Sequence, residues 1–497
     1  MTEKKIEINP YIFRGYDIRG VAGKDLNYDV VKQIAKGYAY YLEQRRIKDA
    51  VVGYDCRLTG EEYKKAVIDG LIESGINVVD LGMCLTQMVY FAQYHYKTNG
   101  GIMITASHNP ADYNGMKLAL GYSNTLGTEE IIELREMVWQ GKEVKTDRPG
   151  QVLKARNFQE AYIYDVVKRI SLKSFKPLIL VDPSDSYPKA EVINLDKKFK
   201  VVIDASNGTT GAIAPDLLRQ IGIEVIEQNC EIDGNFPNGT PDPTEEHILK
   251  RLGERVVKEK ADLGISFDGD GDRMGVVDEK GNPIWADILV AIFADDILDY
   301  LPGGKIVYNA LCSKVVEEVV SQKGIPIMHK TGHTFIKEKV SQEKAVFGGE
   351  LSGHFFFVDN FYGHDDAIFS ALRLLEYLER KAKPLSKIID GFPKYISSPE
   401  IKLGCPDELK FDLVDNKLVK EFKEKYAGAE FSTIDGIRVD FPDGMLIVRY
   451  SQNGPYITIK FESKTQKVYD RLREEIKTVL KKYSEINWDE GVNLESF

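Results

Sequence analysis

Apolar runs with a polar residue at or next to their end recur three times along the chain, as VVGYD (51–55), VVIDA (201–205) and IVYNA (306–310). Each is followed by a segment with the apolar spacing of an amphipathic helix, which closes at a glycine, and then by a second apolar run: INVVDLG, IEVIEQ and IPIMHK. A third run follows each time, as GIMITASHNP, ADLGISFDGDGDR and AVFGGELSGH. This order of strand, helix, strand and further strand predicts α/β units with buried, largely parallel strands.

The pattern changes after about residue 393, where the shorter alternating runs IRVDFPDG, MLIVRYSQNG and YITIKFES precede a helical pattern from about 465 to 483. We therefore predict an α/β protein of three similar α/β domains with mixed, largely parallel sheets, plus a smaller C-terminal α+β domain. The predicted domains are 1–152, 153–282, 283–392 and 393–497. Since open α/β sheets bind ligands beyond the carboxyl ends of their strands, we expect the polar loops after each third strand to face a central cleft.

Composition narrows the class of partner. The chain has 497 residues, 43% hydrophobic and 29% charged, with a net charge of −11. This charge disfavours nucleic-acid and anionic-membrane surfaces, which need a basic stripe to neutralise phosphates. Five scattered cysteines without a C-x-x-C pair fit a reducing compartment, and the first residues have no apolar signal core. We expect a cytoplasmic protein with no membrane and no nucleic-acid partner.

The loop DGDGDR (268–273) predicts a divalent metal site. Carboxylates at alternate positions project to one side of an extended segment, and the glycines between them let Asp268, Asp270 and Asp272 converge on one cation. The spacing of these residues with Glu279 also fits an EF-hand calcium loop. That alternative fails because Arg273 stands where the EF-hand needs glycine, and because the flanking segments resemble strands. Magnesium suits a site with three protein carboxylates, and a solvated acidic turn is the remaining alternative.

The stretch ITASHNP (104–110) places a serine and a histidine side by side after an apolar strand. No G-x-S-x-G elbow is present, and adjacent side chains in a strand diverge, so Ser107 and His108 need not form a hydrolase pair. The stretch could simply begin a loop, with Asn109 bonding the backbone. A phosphorylated Ser107, with a charge of about −1.5 to −2, would instead be well placed beside a magnesium ion.

Several ordered motifs together resemble the α-D-phosphohexomutase superfamily, specifically its phosphomannomutase/phosphoglucomutase branch. The resemblance covers nearly the whole chain and rests on FRGYDIRG (13–20), VGYDCRLTG (52–60), TASHNP (105–110), DGNFPNGTPDPT (233–244), DGDGDR (268–273), TGHTFIK (331–337), GELSGH (349–354) and RYSQNGP (449–455). It implies a mutase that interconverts hexose 1-phosphate and hexose 6-phosphate of mannose, glucose or both. The reaction would pass through a phosphoserine and a bisphosphorylated sugar.

The resemblance also implies roles for individual residues. Ser107, Asp268, Asp270 and Asp272 would hold one Mg²⁺ per chain, with Ser107 as the phosphorylated residue. The implied catalytic residues are Ser107, His108, Lys117, Arg19 and His354. The implied substrate contacts are Arg273, His333, Glu350, Ser352, Arg449, Ser451, Gln452 and Asn453. Hexose 1,6-bisphosphate would serve as activator and intermediate, small sugar phosphates would be the partners, and the assembly would be a monomer or homodimer.

The chain departs from the family pattern at two places. The phosphate loop, usually R-x-S-N-T, continues here as Ser451, Gln452 and Asn453, and the polar segment 180–200 resembles an inserted surface excursion. In the sugar-contact loop, Leu351 is closer to the methionine of mannose/glucose enzymes than to the glutamine of phosphoglucosamine mutases. Two other functions remain open, a magnesium-dependent phosphatase and a non-catalytic sugar-phosphate sensor. The phosphatase would not need the clasp of Arg449 and Ser451, and the sensor would not need Ser107, the metal triad and Lys117 together.

Overall fold

The computed structural model describes residues 7–170, 199–452 and 454–497. The chain groups into two compact units, one formed by residues 1–286 and 352–388 and the other by residues 287–351 and 389–497. Most of the predicted excursion at 180–200 lies outside the described residues, as does Asn453.

The first unit begins with a mixed six-stranded sheet. In spatial order its strands are Ile18–Val21, Tyr113–Leu120, Gly100–Ile104, Asp49–Tyr54, Asn77–Met83 and Val152–Lys154. The last four of these are parallel, and Tyr113–Leu120 runs antiparallel to both of its neighbours. The helices are Tyr28–Gln44, Gly60–Glu73, Thr86–Tyr96, Thr128–Trp139 and Phe158–Val167. The buried aliphatic strands and helix faces form one core around Val52, Ile102 and Leu118.

A second sheet in the same unit has the order Pro283–Ile284, Met274–Val277, Leu263–Phe267, Lys200–Asp204 and Glu224–Gln228. The strand Lys200–Asp204 is parallel to both neighbours, whereas Met274–Val277 returns antiparallel to Leu263–Phe267. This hairpin carries the acidic loop at its tip, so the expectation that strands flank DGDGDR is confirmed. The remaining elements are the helices Ala214–Gln220, Glu246–Glu259, Ala367–Lys381 and Leu385–Ile389 and the strand Phe355–Phe357.

The second unit contains a parallel α/β part and an antiparallel part. In the α/β part, Lys305–Asn309 pairs in parallel with Ile325–His329 and Phe347–Gly349, and the helices are Ala286–Tyr300, Lys314–Val320 and His333–Glu343. The antiparallel sheet has the order Glu430–Ser432, Ile437–Phe441, Gly444–Tyr450, Tyr456–Ser463, Ile401–Gly404 and Asn487–Val492, and Ile396–Ser397 also pairs with Tyr456–Ser463. The helix Gln466–Leu480 covers it, as the sequence pattern predicted.

A helical stretch that the sequence pattern did not indicate lies between the strands Ile401–Gly404 and Glu430–Ser432 of this sheet. It runs through Asp407–Asp412, a π-helical turn Leu413–Leu418 and Val419–Lys425. Its apolar side chains Leu413, Leu418 and Phe422 are buried in the core of the antiparallel sheet. In the described part of the chain, we find no helix that combines the length and apolar character needed to cross a bilayer.

Candidate active site

Three carboxylates meet at the tip of the hairpin in the second sheet. Gly271 adopts a left-handed backbone with φ of +79°, which lets the loop turn, and its N–H donates to Asp268 Oδ1 over 3.0 Å. Asp268, Asp270 and Asp272 are all fully buried, and their ligand oxygens lie within 4.8 Å of one another. The convergence of carboxylates predicted from the alternating spacing is therefore present in the structure.

The electrostatics of this cluster favour a bound cation. Burial and the charges of Asp272 and Asp270 raise the pKa of Asp268 well above its usual value. One oxygen of Asp270 and one of Asp272, the Oδ1 atoms, accept no hydrogen bond from the described residues. Buried carboxylates with free oxygen lone pairs suit a hard divalent cation such as Mg²⁺, so the residues fit the expected metal.

Lys117 lies against the same carboxylates. It extends from the antiparallel strand Tyr113–Leu120, and its Nζ lies 2.7 Å from Asp270 Oδ2 and also pairs with Asp272. Burial opposes the charged amine, but these two carboxylates outweigh burial and hold the pKa of Lys117 well above its usual value. Although Asp270 is also buried, its pKa is lowered by Lys117 and by the hydroxyl of Thr86, which donates to Asp270 Oδ2 over 2.5 Å.

Ser107 also reaches the metal loop. Its Oγ donates to Asp268 Oδ2 over 2.9 Å and lies 3.1 Å from His108 Nδ1. The expectation that the side chains of Ser107 and His108 diverge was wrong, because Ser107 leaves the strand in a left-handed conformation with φ of +53°. The serine is buried, and the structure brings it together with the carboxylates and Lys117.

Arg19, on the edge strand Ile18–Val21, contacts the segment 105–113 that carries Ser107, which we call the serine loop. Its Nη1 donates to Asn109 Oδ1 over 2.7 Å and to the carbonyl of Ala106 over 3.3 Å, and its Nη2 pairs with Asp17 at 2.8 Å. The guanidinium is almost completely buried. Burial disfavours the charge of Arg19, but Asp17 compensates, and the pKa of Arg19 is raised.

Arg273 and His354 form a second polar group beside the carboxylates. Arg273 Nε donates to His354 Nε2 over 2.9 Å, and His354 Nδ1 lies 3.0 Å from Asp365 Oδ2 and 3.7 Å from Asp272 Oδ1. The sequence motifs did not indicate Asp365, although it stands in the YGHDDA segment of the histidine at 364. Ser352 lies half-buried two residues before His354.

A different cluster lies in the second unit. Glu350 Oε1 accepts a hydrogen bond from the backbone N–H of Gly332 over 2.7 Å, and His333 begins the helix that follows. Gly332 has φ of +137°, a conformation that favours glycine. The structure thus brings the TGHT turn together with the acidic residue of GELSGH.

The predicted phosphate loop joins this second cluster through Asp435. Asp435 Oδ2 accepts from Arg449 Nε over 2.8 Å and from the backbone N–H of Thr331 over 2.9 Å. The loop itself is held by Lys410, whose Nζ donates to the carbonyls of Ser451 over 2.6 Å and Gly454 over 2.9 Å.

Ser451 is buried and Gln452 half-buried. Asp435 and Lys410 were missed at the level of the sequence. An aspartate before the glycine of TIDGIRV and a lone lysine in a charged segment carry no local signal for a role in the loop.

Comparisons with known proteins agree with this architecture. Four family domains match, each described as phosphoglucomutase/phosphomannomutase: alpha/beta/alpha domain I at residues 10–145, domain II at 186–281, domain III at 285–395 and the C-terminal domain at 401–479. The chain therefore belongs to the phosphoglucomutase/phosphomannomutase family, with three α/β domains and a C-terminal domain.

Relatives match over nearly their full length. A phosphoglucomutase of Neisseria gonorrhoeae is 36% identical over 479 residues, which are 96% of this chain and 98% of the relative. A phosphomannomutase/phosphoglucomutase of Pseudomonas aeruginosa is 36% identical over 481 residues, 97% of each protein. A crystal structure of a phosphoglucomutase/phosphomannomutase family protein from Burkholderia thailandensis has a TM-score of 0.83 at 33% identity, and the match covers 96% of this chain and 98% of that one.

Proposed function

We propose that this protein is a phosphohexomutase that reversibly converts hexose 1-phosphate into hexose 6-phosphate, with glucose and mannose as the sugars. The observation that carries the proposal is the contact of the Ser107 hydroxyl with Asp268 of the buried carboxylate cluster, next to Lys117. Phosphoryl transfer depends mainly on positioning and on neutralising charge, and this cluster supplies both a carrier hydroxyl and fixed cations. Relatives that bear the corresponding names cover nearly the whole chain.

In the proposed reaction, Ser107 carries a phosphoryl group. A free sugar hydroxyl attacks the phosphorus, the bond to Ser107 Oγ breaks, and a hexose 1,6-bisphosphate forms. The bisphosphate turns over, and Ser107 Oγ then attacks the other phosphorus. The bond from that phosphorus to the sugar oxygen breaks, this oxygen becomes a hydroxyl, and the sugar leaves with its remaining phosphate at the new position.

Mg²⁺, one per chain and held by Ser107, Asp268, Asp270 and Asp272, would neutralise negative charge on the transferring group when bound. Lys117, Arg19 and Arg273 are the protein cations that we place around that group, and His354 and His108 are the groups that we assign to proton transfer.

We assign the second cluster to recognition of the sugar and of its other phosphate. Glu350 and His333 would contact sugar hydroxyls, and we assign Ser352 the same role from its motif. Arg449, Ser451, Gln452 and Asn453 would bind the phosphate that is not being transferred. The buried Arg449, fixed by Asp435, supports a permanent cationic clasp of this kind.

Leu351, next to Ser352, is apolar like the methionine of mannose/glucose enzymes and unlike the glutamine of phosphoglucosamine mutases. We therefore expect glucosamine 1-phosphate to react poorly compared with the glucose and mannose esters. A kcat/KM for glucosamine 1-phosphate equal to that for glucose 1-phosphate would contradict this.

Sugar phosphates are the partners that we propose, in the cytoplasm, with hexose 1,6-bisphosphate as activator and with the enzyme as a monomer or homodimer. The net charge of −11 supports a small-molecule substrate over nucleic acid.

The deciding experiment combines intact mass with turnover. The purified protein should lose the mass of one phosphate on phosphatase treatment, and Ser107→Ala should not. Wild type should form glucose 6-phosphate from glucose 1-phosphate, and mannose 6-phosphate from mannose 1-phosphate, without release of inorganic phosphate. Stoichiometric phosphate release would indicate the phosphatase instead, and binding of either ester without turnover would indicate the sensor.

A further inference from the structure

The VGYDCRLTG segment has no part in the reaction described above, yet its arginine holds the serine loop. Arg57 is only 2% exposed, and its guanidinium donates four hydrogen bonds to backbone carbonyls of that loop. Nη2 donates to Ser107 over 2.8 Å and to Asn109 over 2.6 Å, and Nη1 donates to Pro110 over 2.6 Å and to Tyr113 over 2.9 Å. Such a fork of donors is available to arginine and not to lysine.

Asp55, two residues before Arg57, contacts the backbone N–H of Ser107 through the hydroxyl of Thr105. Its Oδ2 lies 3.4 Å from Arg57 Nε and accepts the hydroxyl of Thr105 over 2.6 Å, and that hydroxyl in turn accepts the N–H of Ser107 over 2.8 Å. Both the N–H and the carbonyl of Ser107 are therefore fixed by the Asp55–Arg57 pair, one through Thr105 and one directly.

These contacts stabilise an uncommon backbone conformation at Ser107. Left-handed backbone is uncommon for a residue other than glycine and persists where the surroundings determine it. The metal loop also lies against the carbonyl that Arg57 binds, because a Cβ added at Gly269 would stand 2.7 Å from Ser107 O. The ring of Phe236 lies 5.0 Å from Arg57 Cζ, so the guanidinium is enclosed and not presented to a ligand.

We propose that Arg57 is a positioning residue for phosphoryl transfer: with Asp55, it fixes the left-handed backbone of Ser107 and thereby places Oγ at the carboxylate cluster. The inference rests on the proposed mutase function. It predicts that loss of Arg57 impairs the transfer step and leaves sugar-phosphate binding intact, since Arg449 and Glu350 belong to the other unit.

The test compares Arg57→Ala and Arg57→Lys with Arg251→Ala. Arg251 is a matched control because it pairs with Asp204, which ends the corresponding strand of the second sheet, and donates to Asn238 O. Steady-state kinetics use glucose 1-phosphate with saturating glucose 1,6-bisphosphate. We expect kcat to fall about 100-fold in Arg57→Ala, the loss associated with a misplacement of about 1 Å, with KM changed less than about threefold. Arg251→Ala should match wild type.

Chemical rescue separates positioning from general stability. Guanidinium at low millimolar concentration should restore part of the kcat of Arg57→Ala, whereas ethylammonium should not, and Arg57→Lys should remain impaired. An unchanged kcat in Arg57→Ala, a KM that rises in step with the loss of kcat, or the absence of any rescue would overturn the proposal.

If the arginine variants do not fold, Thr105→Val decides, because it removes only the hydroxyl between Asp55 and Ser107 N–H. It should lower kcat at constant KM, and a wild-type kcat would refute the proposal. A wild-type protein that fails to isomerise glucose 1-phosphate would instead refute the mutase function itself.

Discussion

Lys410 offers a direct test of the phosphate loop. It is 3% exposed and donates to the carbonyls of Ser451 and Gly454 on either side of the loop, while pairing with Asp407 at 2.5 Å. Lys410→Met keeps the length of the side chain and removes the charge. Each hydrogen bond to a charged group contributes about 1.5–3 kcal/mol, so the two bonds together stabilise the loop by about 3–6 kcal/mol.

In Lys410→Met, water can enter the space left by the ammonium group, and Asp407 is partly exposed. We therefore expect about half of this free energy to be recovered. A net loss of about 1.5–3 kcal/mol in phosphate binding corresponds to a KM for glucose 1-phosphate raised about 10- to 150-fold. The value of kcat should change far less, since Ser107 and the carboxylate cluster belong to the other unit.

The assay is the initial rate of glucose 6-phosphate formation across glucose 1-phosphate concentrations, with glucose 1,6-bisphosphate present. Lys417→Met is the matched control, because Lys417 lies on the same helical stretch but pairs at the surface with Glu485. If Lys410→Met kept a KM within about twofold of wild type, or if Lys417→Met raised KM equally, the assignment of Lys410 to the loop would be wrong.

Three further predictions concern the metal, the clasp and pH. Thr86→Val removes a hydrogen bond to Asp270 and should raise the magnesium concentration for half-maximal activity at least about tenfold; an unchanged magnesium titration would contradict this. Arg449→Ala should mainly raise KM, by about 10- to 150-fold from the loss of about 1.5–3 kcal/mol, and added glucose 1,6-bisphosphate should partly rescue it but not Ser107→Ala; rescue of the serine variant would refute the division of roles. Burial, with Lys339 and Lys330, lowers the pKa of His329 to about 4. The unfolded chain therefore takes up a proton near pH 6.5 that the folded chain does not bind until about pH 4, and stability falls as pH drops between these values; Tm should decline less over this range in His329→Gln, and parallel Tm curves would argue against it.

The repeated strands could be predicted because their physical cause is local. The runs at 51–55, 201–205 and 306–310 lie within one or two residues of the observed strands Asp49–Tyr54, Lys200–Asp204 and Lys305–Asn309. Buried parallel strands are apolar on both faces, so their sequences stand out. The domain boundaries that we drew from the same pattern stay predictions.

The helical stretch of 407–425 was missed for an equally physical reason. Most of its residues are charged, and the apolar Leu409 and Phe411 are exposed, so apolar character alone does not mark the buried face. The buried Val414, Leu418 and Phe422 do recur every four residues, as on one face of a helix. The π-helical turn Leu413–Leu418 has no signature of its own in the sequence.

The candidate site also combines residues that the sequence indicated with residues that it did not. The carboxylates of DGDGDR are neighbours in sequence, so spacing alone indicated a metal site. Thr86, Asp365 and Lys410 act through contacts with residues distant in sequence, such as Thr86 with Asp270, 184 positions away, and no local pattern reports such contacts. The left-handed backbone of Ser107 could not be predicted from the sequence either, because the metal loop and the VGYDCRLTG segment pack against it.

A polar residue stands at the carboxyl end of each of three corresponding strands, Asp49–Tyr54, Lys200–Asp204 and Lys305–Asn309, and its contacts differ among them. Asp55 and Asp204 each accept the backbone N–H two residues further on, at 3.1 Å and 2.9 Å. Asp204 also accepts from Gln228, Asn229 and Arg251, whereas Asn309 accepts the N–H of Leu351 in the sugar-contact loop. One position at the end of a recurring strand thus anchors a loop in three places, and its further contacts differ from one place to the next.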